Sequence, residues 1–227
     1  EEGAKLIIAS RNRENLESTA AELRPHGKEV LVIPTDVTDE DSVSRAIAAS
    51  VEAMGGIDIC VNCAGIVIGE KTLGREAPHS LAGFRRTVEI NLIGSFNVLR
   101  LAAAEMARNG RDENGVIVNT ASIAAFDGQK GQAAYAASKA GIAGMTLPIA
   151  RDLSSRNIRI CAIAPGIFAT PMLRGLPTEV QDGLAAGVTF PRRLGDPAEF
   201  ARMAGTIVEN AYLNGEVIRL DGGLRMT

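Results

Sequence analysis

The sequence has little of several features that mark specialised classes of protein. No apolar run approaches the ~20 residues of a membrane-spanning helix, and the longest, such as 57–61 and 116–118, have the length of strands. The chain has 24 Lys and Arg against 27 Asp and Glu, which gives a net charge of −3. Because this balance provides no bulk attraction to nucleic acid or to an anionic membrane, we expect neither partner.

Cysteine is also scarce. Three cysteines, an odd number, argue against a disulfide framework and favour a reducing compartment, so we expect a cytoplasmic protein. Cys60 and Cys63 have C-x-x-C spacing, but a zinc site needs further ligands, and Cys161, His26 and His79 are scattered. A redox pair is typically found at a helix N-terminus, whereas Cys60 lies in an apolar run. We therefore interpret both cysteines as packed at a strand end and predict no metal site.

Apolar runs of strand length alternate with helical segments along the whole chain. Strands are predicted at 5–9, 29–33, 57–61, 115–120, 158–164 and 216–220. Helices are predicted at 14–23, 39–54 (with Asp39 as N-cap), 80–107, 133–157 and 197–210, with irregular sequence at 168–190. Continuous apolar strands are typical of a parallel sheet buried on both faces. The prediction is an α/β fold, a Rossmann-type doubly wound parallel sheet in three αβα layers, with 1–227 as one domain.

Polar or glycine-rich segments follow the predicted strands. Such sheets bind ligands outside the carboxyl ends of their strands. The segments are Ser10-Arg11-Asn12, Asp36-Val37, residues 62–65, Ser122 and Pro165-Gly166.

Tyr135 and Lys139 are four residues apart on a predicted helix, so the phenol and the ammonium share one face. A free tyrosine has a pKa near ~10, and a neighbouring ammonium lowers that pKa by favouring the phenolate. The pair therefore predicts proton exchange with an alcohol or carbonyl near neutral pH. For this spacing alone, a surface tyrosine beside a solvated lysine is the alternative.

Two further polar residues favour the chemical interpretation. Ser122 lies thirteen residues before Tyr135, just past a predicted strand, where its hydroxyl can bond the same carbonyl oxygen. Asn91 lies inside a predicted helix although asparagine is a poor helix former. We expect Asn91 to hold a water or a backbone group.

Five motifs occur together: Asn62-Cys63-Ala64-Gly65, Asn91-x-x-Gly94, Ser122, Tyr135-x-x-x-Lys139 and Pro165-Gly166. In this order and spacing, the chain resembles the short-chain dehydrogenase/reductase family over essentially its whole length. The resemblance implies an oxidoreductase in which Tyr135 is the acid/base and Ser122 orients the carbonyl. Lys139 would lower the tyrosine pKa and hold the nicotinamide ribose, and Asn91 would support a water that relays protons to Lys139.

The resemblance also implies a nicotinamide cofactor along the strand ends. Asp36, with Val37, would contact the adenine, and Asn62, Ala64 and Gly65 would line the adenine ribose. The nicotinamide amide would be framed by Pro165, Gly166, Ile167 and Thr170.

The sequence departs from the family pattern at two places. Cys63 stands where the family usually has a second asparagine. The family's first strand and Gly-rich turn, which bring a helix N-terminus to the pyrophosphate, have no counterpart, because residues 1–9 resemble the end of the first helix and the second strand. We expect that residue 1 is not the natural start and that ~30 residues of a βαβ unit precede it.

The loop after the first predicted strand indicates the choice of cofactor. An acidic residue there would bind the ribose hydroxyls of NAD and repel a 2′-phosphate, but the loop carries Ser10 and Arg11 instead. A hydroxyl and a guanidinium suit a phosphate, so NADP(H) is favoured, with NAD(H) as the alternative. In the other interpretation Arg11 is a solvated loop residue or stacks on adenine without discriminating.

The second half resembles the 3-hydroxyacyl-CoA dehydrogenase group of the family at 133–152, 193–200 and 213–223. That group typically uses NAD, in conflict with the loop at Ser10. The resemblance implies an acyl-CoA-like substrate, a lid at 169–191 and a homo-oligomer, dimeric or tetrameric. Residues that would line an acyl pocket or meet CoA phosphates are Met172, Leu173, Arg174, Arg192 and Arg193, all equally open to packing or surface roles.

Two other functions remain open at this point. A 3-oxoacyl-carrier-protein reductase would need a basic docking surface at the entrance, for which Arg75, Arg85 and Arg86 are available. A non-catalytic scaffold subunit would keep the fold, but it would not need Ser122, Tyr135 and Lys139 together.

Overall fold

The computed structural model describes residues 3–25, 29–175 and 177–226, and for residues 171 and 172 it describes the backbone alone. Within these residues strands and helices alternate as predicted. The strands are β1 (Leu6–Ser10), β2 (Val30–Pro34), β3 (Ile59–Asn62), β4 (Gly115–Thr120), β5 (Ile158–Pro165) and β6 (Val217–Leu220). The helices are α1 (Arg13–Leu23), α2 (Glu40–Met54), α3 (Leu81–Val88), α4 (Gly94–Met106), α5 (Ala133–Leu153), α6 (Pro171–Arg174), α7 (Thr178–Ala186) and α8 (Pro197–Glu209).

All strand pairs are parallel, but they form two sheets rather than the single predicted one. β1 pairs with β2, and β3, β4, β5 and β6 form the second sheet in that order. In the described part of the chain no strand lies between β1 and β3, and the two strands line opposite sides of one cavity of about 510 Å³.

Helices cover both faces of the larger sheet, which confirms the three-layer prediction. On one face Leu99 and Met106 of α4 and Ile149 of α5 pack on Ile117 and Ile160 of the strands. The other face carries α8, whose Ile207 is fully buried against Val116, Val118 and Ile163. Each such buried side chain contributes about 1.5–3 kcal/mol from area removed from water.

Local sequence sets the helix ends. The Asp39 side chain accepts hydrogen bonds from the N–H groups of Asp41 and Ser42, so it is the N-cap that the sequence predicts for α2. α8 begins with a capping box between Asp196 and Glu199. In the described ranges no helix is both long and apolar enough to cross a bilayer.

Three predicted elements differ in detail. The helix predicted at 80–107 is interrupted by a π-helical turn, Glu89–Ile93, between α3 and α4. The helix predicted at 133–157 ends at Leu153 and continues as a 3₁₀ turn to residue 156. The segment 168–190, expected to be irregular, contains α6 and α7, because its prolines lie at helix starts, where a missing N–H costs nothing.

Candidate active site

The polar segments that follow the strands of the larger sheet lie together at its carboxyl edge. The Asn62 Nδ2 donates to Asn119 Oδ1 at 2.9 Å, which links the ends of β3 and β4. Thr120 Oγ1 lies 3.6 Å from Cys63 Sγ. Gly166 N donates to Leu220 O at 2.9 Å, which links the end of β5 to β6. This edge is where a parallel sheet binds ligands.

Tyr135 and Ser122 are in contact at this edge. Tyr135 lies in the first turn of α5, and Ser122 follows β4, where its Oγ also accepts from Ala124 N at 3.1 Å. Burial raises the pKa of the Tyr135 phenol, and its hydrogen bond with Ser122 opposes that rise. The two hydroxyls can therefore meet one carbonyl oxygen, with the phenol protonated at neutral pH.

The effect expected of Lys139 on the tyrosine pKa is not found. Its Nζ lies 5.8 Å from the centre of the Tyr135 ring and donates to Thr120 O at 2.6 Å. Burial lowers the pKa of Lys139 itself from 10.5 to about 8, with Cys63 opposing the shift. Burial is the largest cause of the shift in the Tyr135 pKa, and its direction is upward.

Asn91 holds a backbone group, as the sequence predicts. It lies in the π-helical turn, fully buried, and its Oδ1 accepts from Ile66 N at 2.8 Å while its Nδ2 donates to Ile66 O at 2.9 Å. The same Nδ2 donates to Ser138 Oγ at 3.0 Å, and Ser138 Oγ donates to Tyr135 O at 2.7 Å. Asn91 thus ties the loop after β3 to the helix that carries Tyr135 and Lys139.

Two glycines of the motifs permit close approach. A Cβ at Gly94 would lie 2.5 Å from Val37 Cγ2, so a larger residue would push apart α4 and the segment after β2. A Cβ at Gly65 would lie 3.3 Å from Asn91 Oδ1 and 3.7 Å from Lys139 Nζ. The loop after β3 therefore passes directly over the buried polar cluster.

The residues expected at the adenine side of a cofactor line the 510 Å³ cavity between β1 and β3. They are Ser10, Arg11, Asp36, Val37, Asn62, Ala64 and Gly65. The Asp36 carboxylate accepts from Thr38 N at 3.0 Å and Thr38 Oγ1 at 2.7 Å, and these bonds hold its pKa below the usual range. The cavity therefore brings together the residues that the sequence predicts for the adenine side of a cofactor.

The residues expected at the nicotinamide lie outside that cavity. Pro165 ends β5, and Gly166 bonds to β6. Ile167 lines a separate cavity of about 200 Å³ together with Phe168 and Asp221. Thr170 is exposed, and its N–H donates to Phe168 O at 2.7 Å. The four residues form one continuous segment beyond β5.

Sequence analysis missed an ion network that anchors the segment after Ser122. Arg219 on β6 pairs with Asp127, donates to Asp221 Oδ2 at 2.8 Å and lies 5.3 Å from the centre of the Phe126 ring. The network fixes the stretch between Ser122 and Tyr135 to β6. No sequence motif marks this network, because Asp127 and Arg219 lie 92 residues apart in the sequence.

Several other candidates have different surroundings from those expected. Arg193, one of the arginines considered for CoA phosphates, is paired with both carboxylate oxygens of Glu199. Leu173 is half-buried and Arg174 is exposed, whereas the side chain of Met172 lies outside the described residues. Arg85 and Arg86, considered for carrier-protein docking, line a pocket together with Arg11.

All three cysteines are free thiols; Cys60 is partly buried and Cys161 buried, whereas Cys63 is exposed and is not packed as the sequence predicts. Burial raises the pKa of Cys60 to about 12, so it is protonated at neutral pH. No group of three His, Cys, Asp or Glu side chains in the described residues could hold a metal ion. His26 lies outside those residues.

Comparison with known proteins identifies the class of protein to which this site belongs. The family model described as "short chain dehydrogenase" matches residues 1–181. The chain belongs to this family and is an oxidoreductase of the short-chain dehydrogenase type.

Individual members of the family differ in how similar they are to this chain. The chain is 51% identical to the "3-hydroxyacyl-CoA dehydrogenase type-2" of Bos taurus over 230 residues, which cover 99% of this chain and 87% of the relative. It is 35% identical to a "3-oxoacyl-[acyl-carrier-protein] reductase" of Thermotoga maritima, over 99% of this chain and 89% of the relative. The resemblance to the hydroxyacyl-CoA group is the stronger of the two.

Solved structures agree. A crystal structure of "3-hydroxyacyl-CoA dehydrogenase type-2" from Mycobacterium avium superposes with a TM-score of 0.93 at 41% identity, over 100% of this chain and 88% of that one. A 7α-hydroxysteroid dehydrogenase in complex with NADH and 7-oxo glycochenodeoxycholic acid gives a TM-score of 0.88 at 29% identity, over 99% and 86%. The family assignment and the Rossmann-type fold predicted from sequence are thereby confirmed.

Proposed function

We propose that this protein transfers a hydride reversibly between a nicotinamide cofactor and a 3-hydroxyacyl-CoA or 3-oxoacyl-CoA, or a related secondary alcohol or ketone. The placement of Tyr135 with Lys139 and Ser122 at the strand ends carries the proposal. The 51% identity to a 3-hydroxyacyl-CoA dehydrogenase type-2 supports the substrate class. The lower identity to the carrier-protein reductase, 35%, disfavours the carrier-protein alternative.

In this proposal the chain positions and protonates the carbonyl oxygen. The Ser122 hydroxyl donates a hydrogen bond to that oxygen, and the Tyr135 phenol transfers its proton to it. The bound nicotinamide supplies the hydride to the carbonyl carbon. Because burial raises the Tyr135 pKa, the phenol is protonated at neutral pH and has a proton to give in the reductive direction. Oxidation of the alcohol releases a proton, so it is favoured as the pH rises.

Asn91 and Lys139 have supporting roles in the proposal. Lys139, with a pKa of about 8, would hold the nicotinamide ribose and return a proton to Tyr135. Asn91 would fix the loop after β3 through Ile66 and orient α5 through Ser138. The relay water implied by the family resemblance would lie between Asn91 and Lys139, close to Gly65.

The cofactor preference is proposed to be NADP(H), with NAD(H) as the alternative. Ser10 and Arg11 line the adenine end of the cavity, and the loop between β1 and α1 carries no carboxylate. A hydroxyl and a guanidinium favour a 2′-phosphate. Pro165, Gly166, Ile167 and Thr170 would frame the nicotinamide amide, and α6 and α7 would belong to a substrate lid.

We further propose a single cytoplasmic domain that forms a homo-oligomer through α4 and α5. These helices line a depression of about 550 Å³ that mixes apolar residues with charged ones such as Arg100 and Asp152, and Phe96 in its lining is 45% exposed. A second copy would bury this surface. Light scattering after gel filtration tests this, and Phe96→Glu is expected to shift the mass to that of a smaller species.

A spectrophotometric assay on acetoacetyl-CoA, with NADPH and NADH compared, tests the function. Turnover with NADPH preferred supports both the tyrosine chemistry and the role of Ser10 and Arg11. Turnover with NADH preferred keeps the chemistry and refutes the cofactor preference. Absence of turnover with either, in protein that still binds a nicotinamide cofactor, refutes the thioester substrate and favours a scaffold role.

A further inference from the structure

A second cavity, of about 340 Å³, opens beside the adenine end of the first one. We call it the arginine cleft, and its polar lining is Arg11, Arg85, Arg86, Asp36, Thr38 and Glu89. Arg11 and Asp36 line both cavities. The cleft therefore lies next to the place where the proposed function puts an adenosine ribose.

The arginines converge from two separate elements. Arg11 follows β1, whereas Arg85 and Arg86 lie in the last turn of α3. Basic residues near a helix end often serve only to offset the helix dipole. Here the helical path continues into the π-helical turn, and Glu89 N already bonds to the carbonyls of both arginines. Arg85 and Arg86 are thus not needed to neutralise free carbonyl groups.

Charge within the cleft is not balanced by the protein. In the parts of the chain that are described, none of the three guanidiniums has a carboxylate within 4.0 Å, whereas Arg100 and Arg193 are paired at 2.7 Å. The Asp36 carboxylate is occupied by two hydrogen bonds from Thr38. Three guanidiniums and two carboxylates leave one positive charge in excess. Like charges held together cost stability, and a bound anion offsets that cost.

The chemistry of the lining selects the anion. Guanidinium groups present parallel N–H donors that match phosphate oxygens, and exposed Arg side chains are the usual partners of phosphate monoesters. The Ser10 hydroxyl at the end of β1 offers one more donor at the border of the two cavities. A planar carboxylate would use fewer of these donors than a dianionic phosphate.

We propose that the arginine cleft binds a phosphate monoester through Arg85 and Arg86 as well as Arg11, and that this group is the 2′-phosphate of the cofactor. The inference rests on the proposed function, which places the adenosine in the larger cavity. It assigns to α3, a helix remote from the loop after β1, a part in cofactor selection. Free phosphate is the other source of the same chemistry.

Calorimetric titration with 2′,5′-ADP, 5′-AMP and inorganic phosphate tests the inference without any turnover. Wild-type protein is expected to bind 2′,5′-ADP at least tenfold more tightly than 5′-AMP at low salt, a ratio that shrinks as salt screens the charges. The double variant Arg85→Ala/Arg86→Ala is expected to lose most of that ratio while its affinity for 5′-AMP stays the same. Arg151→Ala, which removes an exposed arginine at the far end of α5, is the matched control and keeps the ratio.

Each other outcome overturns part of the proposal. Equal binding of 2′,5′-ADP and 5′-AMP by wild type refutes the cleft as a 2′-phosphate site, while turnover with NADH would still support the proposed function. If the double variant keeps the wild-type ratio of 2′,5′-ADP to 5′-AMP affinity and only Arg11→Ser loses it, the role of α3 is refuted. If inorganic phosphate binds tightly and its presence does not weaken the binding of 2′,5′-ADP, the cleft is a site for free phosphate instead. Preference for 2′,5′-ADP without turnover on any thioester refutes the proposed function and leaves the cleft assignment standing.

Discussion

The tyrosine end and the adenine end of the site differ in how their polar and charged side chains are partnered. At the tyrosine end, Asn91, Ser138 and Lys139 are buried and bonded to one another or to the backbone. At the adenine end, the arginines of the arginine cleft have no carboxylate partner among the described residues. One end is complete within the protein, and the other leaves charge to be matched by a ligand.

Because of this difference, substitutions at the two ends should change different properties of the protein. Groups that are pre-positioned by the fold act on the rate of a reaction because they need no rearrangement when the substrate binds. Groups whose charge is unmatched act on affinity, because the ligand provides the missing partner. Substitutions at the tyrosine end should therefore change turnover or stability, and substitutions at the adenine end should change binding with little effect on stability.

The largest expected effect is that of Tyr135→Phe. Removing the phenol hydroxyl removes the proton donor, so kcat for acetoacetyl-CoA reduction should fall by about 10²- to 10⁴-fold. The affinity for 5′-AMP should not change, because the adenine end is untouched. Tyr212→Phe is a matched control, because Tyr212 is the other tyrosine of the chain and is 99% exposed. A Tyr135→Phe enzyme with kcat within tenfold of wild type would remove Tyr135 from the mechanism.

Next in size is the stability effect of two buried asparagines. Asn91→Ala leaves the N–H and C=O of Ile66 without their partner, and each unsatisfied buried group costs about 1–3 kcal/mol. We expect a loss of about 2–4 kcal/mol in urea unfolding. Asn97→Ala, nearer the adenine end, frees only Val37 O among backbone groups and should cost about 1 kcal/mol. Equal losses would contradict the contrast between the two ends.

A third prediction concerns the pH dependence of stability. Folding lowers the Lys139 pKa from 10.5 to about 8. Below that range the lysine is charged in both states and its burial costs stability. Between the two values the unfolded chain binds the proton and the folded one does not, so stability increases with pH.

Lys139→Met removes this dependence. Relative to the variant, wild type should gain about 2 kcal/mol in urea unfolding free energy between roughly pH 7 and pH 9.5. Lys130→Met, at an exposed lysine, serves as the control and should follow wild type. A constant difference between wild type and Lys139→Met across this range would show that the ammonium is not desolvated.

The smallest effect is expected at Asp36. Its lowered pKa contributes stability above the usual carboxyl pKa, and that contribution is lost as pH falls through the folded value. Because the hydrogen bonds from Thr38 to Asp36 are exposed to solvent, Asp36→Asn should differ from wild type by only a few tenths of a kcal/mol near pH 7, and less at acid pH. Thermal melts from pH 6 to pH 3, with Asp182→Asn as baseline, measure it. A difference above about 1 kcal/mol would mean that the adenine end is also structurally constrained.

Much of this architecture follows from the sequence. The sequence predicts the strand at 115–120 at its observed bounds, because three β-branched apolar residues, 116–118, lie between a glycine and two polar residues. Asp39 predicts the start of its helix, because an N-cap hydrogen bond is local and any Asp at that position can make it. Tyr135 and Lys139 share a face because helical spacing alone determines it.

Other features depend on contacts that no local pattern contains. The direction of the Tyr135 pKa is set by burial, which depends on how α5 packs on the strand ends, and sequence spacing predicted the opposite sign. The network of Arg219 with Asp127 joins segments far apart in the chain. The meeting of Arg11 with Arg85 and Arg86 likewise requires the placement of β1 beside α3, which hydropathy does not encode.

The π-helical turn at Glu89–Ile93 makes the length of this segment as decisive as its composition. An α-helix advances about 100° per residue, and a π-helical turn accommodates one residue more than a regular turn. Deleting one residue here would let α3 and α4 join as one regular helix. The side chains of one segment would then be turned about the helix axis, relative to those of the other, by about a quarter-circle from their present orientation. Asn91 would then face away from Ile66, or Arg85 and Arg86 away from Arg11. Proteins that share every motif residue but differ by one position in this turn should therefore differ in both ends of the site at once.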